Sequence, residues 1–231
     1  MTVLHLADET ETADLAAFLS RLLHYDRSAA VRLQAAGTAL AVFGWPPSFE
    51  VLAVRTARLA KPYEDGLDVT LDVTVSAGEL LESVDEAGAT AAVPAAVTGP
   101  PWAGVLPPRG GWRPEPGLPG AESLRALVAA AVAEFRSRTQ ELDAGQRTRT
   151  ELDRIGREIW SRTVGRTPLP VRAVHAAQSL GFLRPPPPSG AGEEDLVLFS
   201  SGAWLRLRSP YGSVAVRRVG TGSLGVSVSG R

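Results

Sequence analysis

The sequence of 231 residues contains no cysteine, one methionine, one lysine and three histidines. Without cysteine, the chain has no disulfides, no thiolate metal site and no cysteine nucleophile. The histidines (His5, His24 and His175) lack the spacing of metal ligands. No apolar run approaches the ~20 residues that span a bilayer, and the first residues do not read as a signal peptide. We therefore expect a cytoplasmic protein that uses no metal, no cofactor and no membrane anchor.

The charges are balanced overall but unevenly distributed. The formal net charge is −1, and hydrophobic residues make up 44% of the chain, as in globular proteins. Residues 147–231 contain thirteen arginines against six acidic residues, whereas residues 1–146 contain eleven basic against nineteen acidic residues. The near-complete replacement of lysine by arginine is typical of a high-GC genome. The asymmetry predicts two modules with different surfaces.

The first half of the chain predicts an antiparallel α+β module. A short strand at 2–6 precedes a helix that begins after Asp8, a predicted N-cap, and ends near Asp26. Four strands follow as a meander, and the first strand is expected at its edge. A second helix is predicted from Ser76 to Gly88. The four apolar segments are AAVRLQAAG, TALAVFG, FEVLAVRTARLA and LDVTLDVTV.

The second half predicts helices followed by a small antiparallel β-hairpin module. The amphipathic segments cover residues 121–142, 147–164 and 171–183, and two or three short strands follow residue 195. Helices before a hairpin are also the order of a winged helix. We therefore predict an α+β fold, with an acidic domain at 1–120 that includes a Pro/Gly loop at 88–120, and a basic domain at 121–231.

The loop segment GPPWAGVLPPRGGWRPEPG, residues 99–117, is the first candidate site. Trp102 and Trp112 are too large and apolar for a free linker. Long loops in compact proteins are packed down, functional or disordered, so the segment is a structural strap, a partner-binding loop or a tether. Arg109 is the expected exposed tip in each case. Trp102, Arg109 and Trp112 are the predicted partner-binding residues.

The C-terminal hairpin, AWLRLRSPYGSVAVRR, is the second candidate site. Strand alternation places Leu205 and Leu207 on one face and aromatic or basic residues on the other. This pattern fits a solvated sheet face, or a surface that binds nucleic acid or another anion. The residues predicted for nucleic-acid binding are Arg172, Gln178, Trp204, Arg206, Arg208, Arg217 and Arg218.

Catalytic patterns are sparse. His24 and Asp26 could form a His–Asp pair, but they fall at a predicted helix end. His175 lies on an apolar helix face, which favours a position at the edge of the core. The acidic run at 193–195 is more typical of a solvated loop than of a cation site. We therefore assign no catalytic residue and favour a non-enzymatic protein, and an enzyme with an unfamiliar site is the third hypothesis.

Three segments carry a resemblance to other sequences. LDVTVSAGELLESV, GPPWAGVLPPRGGWRP and GAWLRLRSPYGSVAVRR resemble an uncharacterised group of conserved hypothetical proteins from high-GC actinobacteria, which implies no activity. The order of the first elements is also similar to one repeat of a sliding clamp. We predict an adaptor or regulatory protein that acts through protein–protein contacts, with nucleic-acid binding as the alternative. Its partner and oligomeric state are not predicted.

Overall fold

The computed structural model describes residues 2–143, 145–185 and 196–218. In this part of the chain it has five α-helices and eleven strands, with a mixed α+β architecture. The helices are α1 (Glu9–Tyr25), α2 (Ala77–Glu82), α3 (Ala121–Gln140), α4 (Arg149–Trp160) and α5 (Val171–Ser179). The strands are β1 (Val3–His5), β2 (Ala30–Ala36), β3 (Ala39–Gly44), β4 (Leu52–Arg58), β5 (Thr70–Ser76), β6 (Val84–Asp85), β7 (Thr90–Ala92), β8 (Arg113–Pro114), β9 (Val197–Ser201), β10 (Trp204–Ser209) and β11 (Gly212–Arg217).

Eight of these strands form one antiparallel sheet in the order β5-β2-β3-β4-β11-β10-β9-β8. The two halves of the chain meet where β4 pairs with β11, with Val54 opposite Ser213 and Leu52 opposite Ala215. The hairpin strands therefore lie inside the large sheet, and β11 is buried along most of its length. They extend the N-terminal sheet and do not project as a wing.

One face of the sheet, the inner face, is covered by helices. In β2 the residues Val31, Leu33 and Ala35 are buried, because alternate side chains of a strand point to one face. The same alternation buries Leu205 and Leu207 in β10. One continuous core joins both halves of the chain, and Phe18 and Phe182 stack within it with ring centroids 5.8 Å apart.

A buried arginine connects the same two halves. Arg55 on β4 is only 6% exposed. Its guanidinium lies 3.3 Å from Glu11 and 3.0 Å from Asp14, both on α1. It also donates to the carbonyl of Tyr211, in the turn between β10 and β11, at 2.7 Å. The division of the chain at residue 120 stays a prediction, and the halves share both a sheet and a core.

The α+β class, the antiparallel sheet and the C-terminal β-strands are confirmed. The predicted start of α1 is also correct, since the Asp8 carboxylate accepts from the N–H of Glu11 at 2.9 Å. The first segment lies only partly at the expected edge. Its last residue, Leu6, bridges Leu59 just after β4, but β1 itself pairs with β7 in a three-stranded sheet, β1-β7-β6, with Val3 opposite Ala92. The segment that supplies this partner is short and rich in alanine, so it gave no strand signal.

The second helix is shorter than predicted. It begins after Ser76, whose side chain accepts from the N–H of Glu79, but it ends at Glu82 and not at Gly88. The Ser83 hydroxyl lies 2.8 Å from the carbonyl of Ala92, and Val84 then pairs with Ala91. Pairing with β7, the next strand of the chain, overrides the local helical pattern here.

Candidate functional site

The Pro/Gly loop crosses the second face of the large sheet, the outer face. We call residues 97–112 the strap. At one end, the N–H of Val97 donates to the carbonyl of Thr74 on β5 at 2.9 Å. At the other end, the strap runs into β8, where Arg113 pairs with Ser200 of β9. Because β5 and β8 are opposite edges of the sheet, the strap spans its width.

Trp102 holds the strap onto the sheet. It packs, partly buried, against a small apolar cluster centred on Leu52, Val54 and Ala215. Beside it, Arg32 of β2 donates a hydrogen bond to the carbonyl of Ala103. The other partly buried members of this cluster are Ala41, Phe43, Trp45, Leu106 and Trp204. The contacts of Trp102 are those of an anchor within the fold.

Trp112 occupies the far end of the strap, beside the hairpin. Its indole N–H donates to the carbonyl of Pro108 at 3.0 Å, which closes the turn that carries the exposed Arg109. Gly111 has a φ of 75°, a conformation that favours glycine. The guanidinium of Arg206 lies 6.0 Å from the centroid of the Trp112 ring. The structure therefore brings the two predicted sites together on one surface.

Three arginines of the hairpin line this surface without acidic partners. Arg217 lies over the Trp204 ring at 5.5 Å, and Arg208 lies over a ring of β9, that of Phe199, at 5.2 Å. Within the described residues, no carboxylate pairs with Arg206, Arg208 or Arg217. Burial, followed by the nearby charge of Arg208, lowers the pKa of Arg206. The surface is thus aromatic and positively charged, and it is suited to an anionic group.

Arg206 is the most constrained of the three arginines. Its Nε donates to the Ser213 hydroxyl at 2.9 Å, which fixes the plane of the guanidinium. Arg218 differs from the others, because its guanidinium lies 2.8 Å from the carboxylate of Glu115. Arg218 is therefore neutralised within the fold. We name the remaining set, Arg109, Trp112, Trp204, Arg206, Arg208 and Arg217, the aromatic–basic surface.

Two predicted nucleic-acid contacts lie elsewhere. Arg172 and Gln178 are on α5, which packs against the inner face through β10 and β11. Gln178 is exposed, and Arg172 lines a cleft beside α4. The predicted set is therefore divided between the two sides of the sheet. The reason is that the hairpin is an internal part of the sheet, with the helices on one side and its arginines on the other.

Several contributors to the surface were missed by the sequence reading. Leu106 and Trp45 complete the apolar cluster, and Phe199 supports Arg208. Phe199 alternates with Leu198, which is fully buried, so strand alternation could have placed it on the outer face. Nothing local identifies Trp45 or Leu106, because their partners lie on distant strands.

The residues considered for catalysis make contacts that stabilise the fold. Asp26 is the C-cap of α1, and its carboxylate accepts from the N–H and the hydroxyl of Ser28. His175 packs between Trp160, at a ring distance of 4.7 Å, and Phe49, at 5.0 Å. Burial lowers the pKa of His175. The acidic run at 193–195 lies outside the described residues.

None of the helices in the described ranges combines the length and the apolar character that crossing a bilayer requires. The same ranges contain no group of three or more His, Asp or Glu side chains arranged to hold a metal ion.

Comparison with known proteins gives two matches, one for each part of the chain. Residues 1–104 match a domain of unknown function, DUF8010, and residues 107–221 match a second, DUF8185. No curated protein and no solved structure matches the chain. The likeness to a sliding-clamp repeat stays a prediction. The resemblance to an uncharacterised group is confirmed, since each part of the chain is similar to a domain of unknown function.

Proposed function

We propose that this protein is a cytoplasmic, non-enzymatic adaptor or regulatory protein that binds a protein partner through the aromatic–basic surface. The observation that carries the proposal is the meeting of Trp112 on the strap with Arg206 on the hairpin. Tryptophan and arginine are the residues that most often supply binding energy at protein interfaces. Their clustering in space, from segments about 100 residues apart, favours a shared role.

The chemistry of the surface favours an acidic partner. Arg208 and Arg217 are exposed, each lies over an aromatic ring, and neither has a carboxylate partner in the described residues. A guanidinium supported by an aromatic ring retains its N–H donors for a carboxylate and loses less side-chain entropy on binding. We therefore expect the partner to present Asp or Glu side chains beside an apolar residue that packs on Trp112.

The partner is sought with the immobilised full-length protein and an extract of the cells that naturally express it. Proteins that bind the wild type are expected to be lost with the double variant Trp112→Ala/Arg208→Glu. The matched control is Arg136→Glu, which changes an exposed arginine on α3, away from the outer face. Retention of the same proteins by the double variant would contradict the proposal.

A second candidate function is binding of single-stranded nucleic acid on the same surface. It is favoured by Trp204 and Phe199, whose rings are partly exposed on the outer face beside arginines. Sheet-borne aromatic rings that stack bases, with arginines on phosphates, are a common mode of single-strand recognition. Binding to several phosphates weakens steeply as salt increases, whereas the apolar contact that Trp112 would make with a protein partner does not depend on charge.

The test of this second function is a salt titration with fluorescent single-stranded and duplex DNA. If this surface binds nucleic acid, the affinity should fall steeply as salt increases. The double variant Arg206→Ala/Arg208→Ala should then bind more weakly than the wild type. The absence of binding at low salt would remove this candidate and leave the protein partner as the proposal.

A further inference from the structure

A second concave site lies on the helical side of the molecule. A cleft of about 610 Å³ opens between α3, α4, the N-terminal part of α5 and the turn after β3. This volume is within the ~300–1,000 Å³ that is usual for small-molecule sites. Residues 47–50 of its wall fall in the first domain match, and the rest fall in the second. Ligand sites often form at such junctions.

Aromatic rings line the apolar part of this cleft. The ring centroids of Phe135 on α3 and Trp160 on α4 are 6.1 Å apart, and their planes are tilted by 39°. Trp160 is held in place by stacking on His175 at 4.7 Å. Both Phe135 and Trp160 are only partly buried, so ring surface is available to a ligand. The site favours a flat apolar group.

Gly156 keeps the floor between these rings open. It lies inside α4, where glycine is unfavourable relative to alanine because it adds backbone entropy to the unfolded chain. A Cβ at this position would lie 3.5 Å from Trp160 and 3.6 Å from Phe135, which is ordinary van der Waals contact. The fold would therefore accept alanine. The glycine is explained by the space that it leaves in the cleft.

Arginines line the polar part of the cleft. The Nε of Arg172 is buried and has no hydrogen-bond partner in the described residues. Arg149 and Arg157 line the same cleft, and Asp153, 3.7 Å from Arg149, and Glu50 are its acidic residues. Arg172 as a whole is only partly buried, and it forms no side-chain hydrogen bond or ion pair within the described residues, so the accessible part of its guanidinium can donate to an acceptor in the cleft.

We propose that this cleft binds a small organic anion that consists of a flat ring and a phosphate or carboxylate group. The ring packs on Phe135 and Trp160 over Gly156, and the anionic group accepts hydrogen bonds from Arg172 and Arg157. This site goes beyond the proposed adaptor function. It uses none of the residues of the aromatic–basic surface, and it can be tested without knowledge of the partner.

The first test is calorimetric titration of the full-length protein with adenosine monophosphate and with indole-3-acetate. Adenosine and inorganic phosphate serve as the separate halves of adenosine monophosphate. At least one ring-bearing anion is expected to bind about ten-fold or more tightly than either half, because one charge-assisted hydrogen bond supplies that factor. Binding of only one of the two anions identifies the phosphate or the carboxylate class. If neither anion binds more tightly than inorganic phosphate, the proposal is overturned.

Variants then locate the binding. Arg172→Gln is expected to weaken binding about ten-fold through the loss of a charged donor, and Arg136→Gln, an exposed position on α3, is expected to leave it unchanged. Gly156→Ala should weaken binding while the melting temperature holds or rises. The matched control is Gly78→Ala, at a helical glycine of α2 where a Cβ would make only an ordinary contact, 3.7 Å from the Ser76 hydroxyl. Unchanged affinity in Arg172→Gln or in Gly156→Ala would contradict the proposed site.

Discussion

Replacement of Trp102 by alanine tests whether the strap is anchored by this side chain. Trp102 is the strap tryptophan that packs against Leu52, Val54 and Ala215, and it is partly buried there. A fully buried tryptophan removes about 150–250 Å² from water, and its truncation costs about 3–5 kcal/mol. Because Trp102 keeps some exposure and water can enter the vacated site, we expect a loss of about 2–3 kcal/mol.

The measurement is unfolding by heat and by urea, followed by far-ultraviolet circular dichroism. For a chain of this size, about 1 kcal/mol shifts the melting temperature by about 2–4 °C, so Trp102→Ala should lower it by roughly 5–10 °C. Trp112 packs on its own turn and is absent from the apolar cluster, so Trp112→Ala should cost about 1 kcal/mol or less. Trp102→Phe should retain most of the stability. Equal and negligible effects at Trp102 and Trp112 would refute the anchor.

Three further predictions concern two groups of ion pairs and the pairing between the halves of the chain. Arg55→Ala should cost about 3 kcal/mol in urea unfolding, because it removes the buried donor to the Tyr211 carbonyl and one of the two arginines that contact each of Glu11 and Asp14. Arg58→Ala, at a side chain that is 72% exposed, should cost less than about 1 kcal/mol. Equal losses in the two variants would contradict this. Hydrogen bonds from Arg138 and Arg162 lower the pKa of Glu158, to about 2, and of Glu134 below its usual 4.5. Their stabilisation is therefore present above pH 4.5 and is lost as the pH falls towards 2, and Arg138→Gln should flatten that part of the stability curve. Fragments 1–120 and 121–231 should each fail to give dispersed nuclear magnetic resonance spectra alone and should recover them when coexpressed, because β4 and β11 lose their pairing when separated.

The local parts of this fold could be predicted because their signals are local. Asp8 with Glu11, and Ser76 with Glu79, show capping patterns that the structure contains. The alternation of apolar and polar residues correctly placed Leu205 and Leu207 on the buried face of β10. The pairing of Leu52 with Ala215 could not be read in this way, since it joins positions more than 150 residues apart. Whether a strand is central or at an edge depends on such pairings.

The candidate site could also be predicted only where its signals are local. Strand alternation places Trp204, Arg206 and Arg208 on one face, but it does not say which face the helices cover. Trp112 meets Arg206 only because the strap crosses the whole sheet. Arg172 was grouped with the hairpin because the two are near in sequence, yet α5 packs on the opposite side. Residues from one strand could be grouped from the sequence, and residues from different elements could not.

The measurement that tests the central claim most directly is photocrosslinking from the aromatic–basic surface. A benzoylphenylalanine is placed at position 112, and a second protein carries it at position 136 as the control. We predict that position 112, in an extract of the native cells, gives a discrete protein crosslink that survives nuclease treatment and disappears with Arg208→Glu. Identical products from positions 112 and 136, or a product that nuclease removes, would contradict a protein-binding role for this surface.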